Sequence, residues 1–151
     1  MKKMKSLTFL FAMACVVLSA CASQSKHSGN TGLAFSNLEN AVIQTSDEGK
    51  YRVKLFSNTF PIPTNKIHSW TLQVETSDGK PVEDAMIRIH GGMPQHKHGF
   101  PTTARVEKYL GEGRYTIDGV KFSMPGSWQM RINIKEEQKL RRDRVVFKID
   151  L

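Results

Sequence analysis

The sequence predicts an all-β protein, a single immunoglobulin-like or transthyretin-like β-sandwich set behind a signal peptide and a flexible tether. Three observations point there. Beyond residue 50, five segments alternate apolar and polar residues with period two, as strands with one wet face do. Turn-forming residues separate them: Asp78-Gly79, Gly91-Gly92, Gly111 with Gly113, Asp118-Gly119 and Pro125-Gly126. Ahead of them stands a basic start and an apolar run with the pattern of an export signal.

In chain order, Lys2, Lys3 and Lys5 precede "LTFLFAMACVVLSA", a run of the length of a signal h-region and short for a membrane-spanning helix. It ends in Leu18-Ser19-Ala20-Cys21, which resembles a bacterial lipobox, with small residues for the peptidase and then a cysteine that takes the lipid. Residues 1–20 are therefore expected to be a lipoprotein signal peptide. An ordinary signal cut elsewhere in "SACAS" is the alternative, and either reading exports the chain.

Export governs the cysteines and the charge. Cys15 is discarded and Cys21 is acylated, so no thiol or disulfide is left and cysteine chemistry is excluded. Without Lys2, Lys3 and Lys5 the formal charge falls from +8 to +5. Nucleic acid is a poor partner for an exported protein, whereas a basic face suits anionic lipid head groups. The expected location is the cell envelope, lipid-anchored and facing the periplasm. Ala22 and Ser23 lack the aspartate that favours inner-membrane retention, so the outer membrane is favoured in a Gram-negative cell.

Residues 21–48 are expected to be the lipidated N-terminus and tether, since "ASQSKHSGNTG" has almost nothing to bury and "LAFSNLENAVIQTSDEGK" reads equally as helix or strand. The domain is expected over 49–151. Inward-facing sets are Tyr51, Val53, Leu55; Trp70, Leu72, Val74; Ala85, Ile87, Ile89; Trp128, Met130, Ile132, Ile134; and Val145, Phe147, Ile149, Leu151. Met86 also reads as core filler. Residues 135–144, "KEEQKLRRDR", read as a solvated hairpin or a contact with lipid head groups.

The segments "HSWTLQV", "DGKPVEDA", "GGMPQHKHGFPT" and "GEGRYTIDGVKFSMPGSWQM", in that order, resemble the YtkA-like family of small exported bacterial proteins, related to FixH-type domains. The resemblance covers roughly residues 50–151. It implies a β-sandwich with copper handling or support of respiratory-enzyme assembly.

The chemistry concentrates in "IHGGMPQHKHGFPT", residues 89–102, where His90, Met93, His96 and His98 fall within nine residues. Gly91 and Gly92 permit positive φ, and Pro94 and Pro101 disfavour helix, so the segment is expected to bulge as a loop. In an immunoglobulin arrangement the strand before this loop pairs with the strand starting near Trp128, which brings Met124 to the same pole. The strand opening at His68 starts there too. Imidazole and thioether without thiolate suit copper, so the expected metal ligands are His90, Met93, His96, His98, Met124 and His68. His68 reads equally as a rim residue satisfied beside Trp70.

No Gly-x-Ser-x-Gly elbow occurs, and no carboxylate lies close in sequence to the histidines, so an enzyme is not expected. The expected function is copper binding for delivery to a protein acceptor in the envelope, or for sequestration. The alternative is a metal-free assembly module that uses the same loop for docking, with Met93 and Phe100 as apolar anchors.

Overall fold

The computed structural model describes residues 41–151. The expected signal peptide, Cys21 and most of the expected tether lie outside them. The described residues form nine strands: β1 (Val42–Thr45), β2 (Tyr51–Ser57), β3 (His68–Thr76), β4 (Ala85–Met93), β5 (His98–Gly99), β6 (Arg105–Gly111), β7 (Arg114–Val120), β8 (Ser127–Glu136) and β9 (Arg141–Asp150). They make two antiparallel sheets, ordered β1-β2-β3-β7-β6 and β5-β4-β8-β9. The all-β sandwich is present. Strands β2-β3-β7-β6 and β4-β8-β9 reproduce the four-plus-three order of immunoglobulin constant-type domains, with β1 and β5 added at edges.

Alternation builds the core. Tyr51, Val53 and Leu55 of β2 and Trp70, Leu72 and Val74 of β3 point inward from one sheet, and Trp128, Met130, Ile132 and Ile134 of β8 and Val145, Phe147 and Ile149 of β9 from the other. Each large apolar side chain removed from water in this way contributes about 1.5–3 kcal/mol. Met86 departs from expectation: it is 46% exposed, because its neighbours Ala85 and Ile87 hold the inward positions.

Strand pairing resolves one open local reading and changes others. The segment that read equally as helix or strand contains β1, paired from Val42↔Leu55 to Thr45↔Arg52, and Ser46 Oγ accepts the Tyr51 N–H at 2.9 Å. The domain therefore begins before residue 49; all four β1 residues are exposed, so no alternation marked them. Asp118-Gly119 is a bulge inside β7 and no turn: the β3–β7 register shifts between His68 and Trp70, and Gly119 has φ +80°. A Cβ at Gly119 would stand 2.5 Å from the Thr103 carbonyl oxygen.

Gly91 and Gly92, expected to open a loop, continue β4 opposite Met130 and Gln129. Residues 135–144 form the expected hairpin, β8 and β9 closing at Glu136↔Arg141 over the exposed turn 137–140, but Glu136 and Asp143 are buried and not solvated. Glu136 is fully buried and accepts hydrogen bonds from Tyr51 Oη at 3.0 Å and Lys139 Nζ at 2.6 Å, with Arg141 Nη1 at 3.5 Å. Burial and the bond to Glu136 push the Tyr51 hydroxyl well above its ordinary range.

Candidate functional site

The site begins with a missing side chain. Gly91 follows Ile87 and Ile89 in the inward series of β4, and a Cβ there would lie 1.9 Å from Cζ of Phe100. The absent methyl is the seat of the Phe100 ring. Gly91 and Gly92 thus provide space for a close approach, and neither uses the positive φ that glycine permits. Phe100 in turn stands 5.4 Å from Phe122 and 5.7 Å from Trp128, and Phe122 and Trp128 are 5.2 Å apart, with fully buried side chains. Aromatic contacts of this kind add ~0.5–1.5 kcal/mol each beyond area burial.

This cluster anchors a tight hairpin where a bulging loop was expected. Gly92 pairs with Gly99 and Met93 with His98, while the His96 N–H bonds the Met93 carbonyl at 3.0 Å and the Phe100 N–H bonds the Gly91 carbonyl at 3.0 Å. Lys97 turns the chain with φ +55°. His96 and His98 therefore flank a left-handed residue, and their ring centroids are 5.9 Å apart.

His98 stands edge-on to the Trp128 indole at 5.4 Å, and its Nδ1 lies 3.3 Å from the Gly99 carbonyl oxygen. His90, on the outer face of β4 opposite Arg131, shares with His98 a cavity of about 300 Å³. Lys97, Gln129 and Arg131 also line it. The wet-face alternation of β8 already marked Gln129 and Arg131, but the β4–β8 register was needed to place them beside the histidines.

The remaining expected ligands separate. Met93 is 2% exposed, and its Cε fills the space over Gly126, where a Cβ would come within 2.8 Å. Its thioether is core packing. Phe100 is likewise packed against the core, so both apolar anchors expected of the docking alternative are engaged inside the domain. Met124 is 39% exposed at the same pole, and its carbonyl accepts the Trp128 Nε1–H at 3.0 Å.

His68 lies across the aromatic cluster from His98, 5.5 Å from Phe122 and 6.1 Å from Trp70. Its Nδ1 is 3.0 Å from the Lys66 carbonyl oxygen, while Nε2 is buried with no hydrogen-bond partner. The structure does not bring it to the other imidazoles. Burial lowers its pKa below the ordinary histidine value, only partly opposed by the Lys66 carbonyl. The folded state thus binds the proton more weakly than the unfolded chain, so His68's contribution to stability is present above about pH 6.5 and is lost as pH falls. Denaturant titrations from pH 7 to 5 are expected to show a decline that His68→Phe flattens.

Among the described residues, no group of three or more His, Cys, Asp or Glu side chains is arranged to hold a metal ion. What the hairpin offers is an imidazole pair, His96 and His98, with His90 on the cavity wall and Met124 at the same pole.

The YtkA-like family model matches residues 45–133, more than half of the chain. The chain belongs to the YtkA-like family. Within this YtkA-like chain the matched stretch runs from the end of β1 into β8 and takes in the whole His/Met hairpin. No curated protein matches the chain. Among solved structures, the ZirS C-terminal domain is similar, at 12% identity and a TM-score of 0.41, over 98% of this chain and 88% of that one.

Proposed function

We propose that this YtkA-like protein is an exported lipoprotein, anchored through Cys21 in the cell envelope, that binds copper at the β4–β5 hairpin for delivery or sequestration. The observation that carries the reading is the 5.9 Å separation of the His96 and His98 rings. A metal–nitrogen bond of about 2.0–2.1 Å puts the ion roughly 3.2 Å from each ring centroid, so two imidazoles on one ion stand at most roughly 6.4 Å apart. The pair is within reach of one ion.

The donor set favours copper. For a site of given nitrogen ligands, divalent copper binds more tightly than zinc, and the domain offers no thiolate to reverse that order. His98 is the central ligand, with His96 beside it, His90 reaching from the cavity wall and Met124 as the accessible thioether. Lys97 and Arg131 line the same cavity, and their charge opposes a cation. The result is an open, exchangeable site, which suits passing the ion to an envelope acceptor better than storing it.

Competition titration of residues 21–151 carrying Cys21→Ser against chelators of known copper affinity tests this. The parent should bind one copper tighter than about micromolar, equivalent to roughly −8 kcal/mol. His96→Ala/His98→Ala should bind on the order of a hundredfold more weakly, a loss of about 2.7 kcal/mol. Equal affinities in parent and double variant would overturn the reading.

A further inference from the structure

The four-stranded sheet carries most of its charge on one side. Across its outer face the register aligns Met86, Lys135 and Arg142; then Arg88, Asn133 and Arg144; then His90, Arg131 and Val146; then Gln129 and Lys148 beside Gly92. Six of these residues are Lys or Arg; Asp150 on the same face is held by the Ser127 hydroxyl, and Asp47 and Glu48 of the β1–β2 turn line one hollow with Arg88, Lys135 and Arg142. Arg144 pairs with Asp47 at 2.6 Å and Lys135 with Glu137 at 3.0 Å. Arg88, Arg131, Arg142 and Lys148 have no carboxylate within ion-pair distance among the described residues.

The other sheet is different: β2, β3 and β7 set Arg52, Lys54 and Arg114 against Glu75 and Asp118, and Lys54 pairs with Glu75 at 3.0 Å. Like charges directly opposite, as at Lys135 and Arg142, destabilise a sheet unless a counter-charge lies over them; Glu137 supplies one to Lys135, while Arg142 has none within ion-pair distance among the described residues.

We propose that the outer face of β4, β8 and β9 docks on an anionic phospholipid surface, with lipid phosphates as the counter-charge. The proposal rests on the lipid-anchor reading for its geometry: Cys21 lies twenty residues before the first described residue, so the anchor would keep this domain close to the bilayer. The face also fits a membrane better than a single small anion. Its cations are spread over four rows of a sheet, with Met86 exposed and Val146 half-buried as the apolar residues, so binding is electrostatic contact with many head groups and no insertion. Docked in this way, the domain turns toward the bilayer the cavity that His90, Gln129 and Arg131 line, so membrane contact and acceptor access to that cavity alternate.

The test uses residues 21–151 carrying Cys21→Ser, stripped of metal, so that neither the anchor nor copper contributes. Co-sedimentation with phosphatidylcholine vesicles, with and without phosphatidylglycerol, is compared for the parent, for Arg88→Gln/Arg142→Gln/Lys148→Gln, and for Arg52→Gln/Arg105→Gln/Lys108→Gln from the other sheet. Each cation near an anionic surface is worth roughly fivefold in partitioning, so the first variant should lose on the order of a hundredfold. The second should bind as the parent does, and salt should release both. Circular dichroism melting checks that all three remain folded. Binding that ignores phosphatidylglycerol, equal loss in both variants, or binding to acidic proteins with none to vesicles would overturn the proposal. A parent that docks yet fails the copper titration would leave this inference standing and remove the metal reading alone.

Discussion

Replacing Gly91 with alanine is expected to destabilise the domain by about 1–3 kcal/mol through overpacking alone. The added methyl would sit 1.9 Å from Cζ of Phe100, and β4 is held by β8 through Gly91↔Met130, so the ring must leave its seat. Leaving costs Phe100 its contacts with Phe122 and Trp128, ~0.5–1.5 kcal/mol each. The effect is specific to the pair. In a Phe100→Ala background the same substitution should cost much less, since the volume it needs is then empty, and a double-mutant cycle in denaturant should show that coupling. Equal costs in both backgrounds would mean that Gly91 serves some purpose other than seating the ring.

Truncating Trp128 to alanine is expected to cost about 3–5 kcal/mol. Its side chain is fully buried and touches Phe100, Phe122 and His98, and its Nε1–H holds the Met124 carbonyl at 3.0 Å. The loss reaches the pole as well as the core, because both His98 and the turn carrying Met124 lean on the indole. Thermal unfolding should therefore show a lowered midpoint, and copper affinity measured well below that midpoint should also fall. Trp128→Phe should retain most of the stability, since it keeps an aromatic ring, while releasing the Met124 carbonyl.

These two residues also show what could be read in advance. The sandwich was legible because burial of one face leaves a period-two record, and β2, β3, β4, β8 and β9 all carry it. β1 and β6 were not legible: β1 is exposed throughout, and β6 loses register between Val106 and Lys108 and again between Tyr109 and Gly111. Glycines misled in two ways. Gly119 was read as a turn because a positive-φ residue within a strand bulge has the same composition as a turn. Gly91 was read as a turn residue opening a loop, whereas it is an inward strand position emptied for an aromatic ring nine residues later. Nothing in a linear pattern records that complementarity.

At the candidate site, the pairing of β4 with β8 was legible from immunoglobulin topology, and with it the arrival of Met124 at the pole. The fate of Met93 was not, and that of His68 was legible only in its alternative reading beside Trp70, because each sits one side of a boundary that only packing draws. Met93 falls on the inward series of β4 once Gly91 and Gly92 are strand, and the bulge at Gly119 accompanies the burial of His68 beneath Phe122. The basic outer face was present in the alternation, yet its concentration on one sheet emerges only when the register sets three strands side by side.

His96 and His98, as proposed, hold one copper ion together. Pulsed electron paramagnetic resonance of the chain loaded with one equivalent of divalent copper counts the imidazoles bound to it directly. Coupling to the His96 and His98 rings, beside that of His90, is expected in the parent, to one ring fewer in either His96→Ala or His98→Ala, and to two fewer in the double variant. A parent spectrum without imidazole coupling, or one that the double variant leaves unchanged, would contradict it.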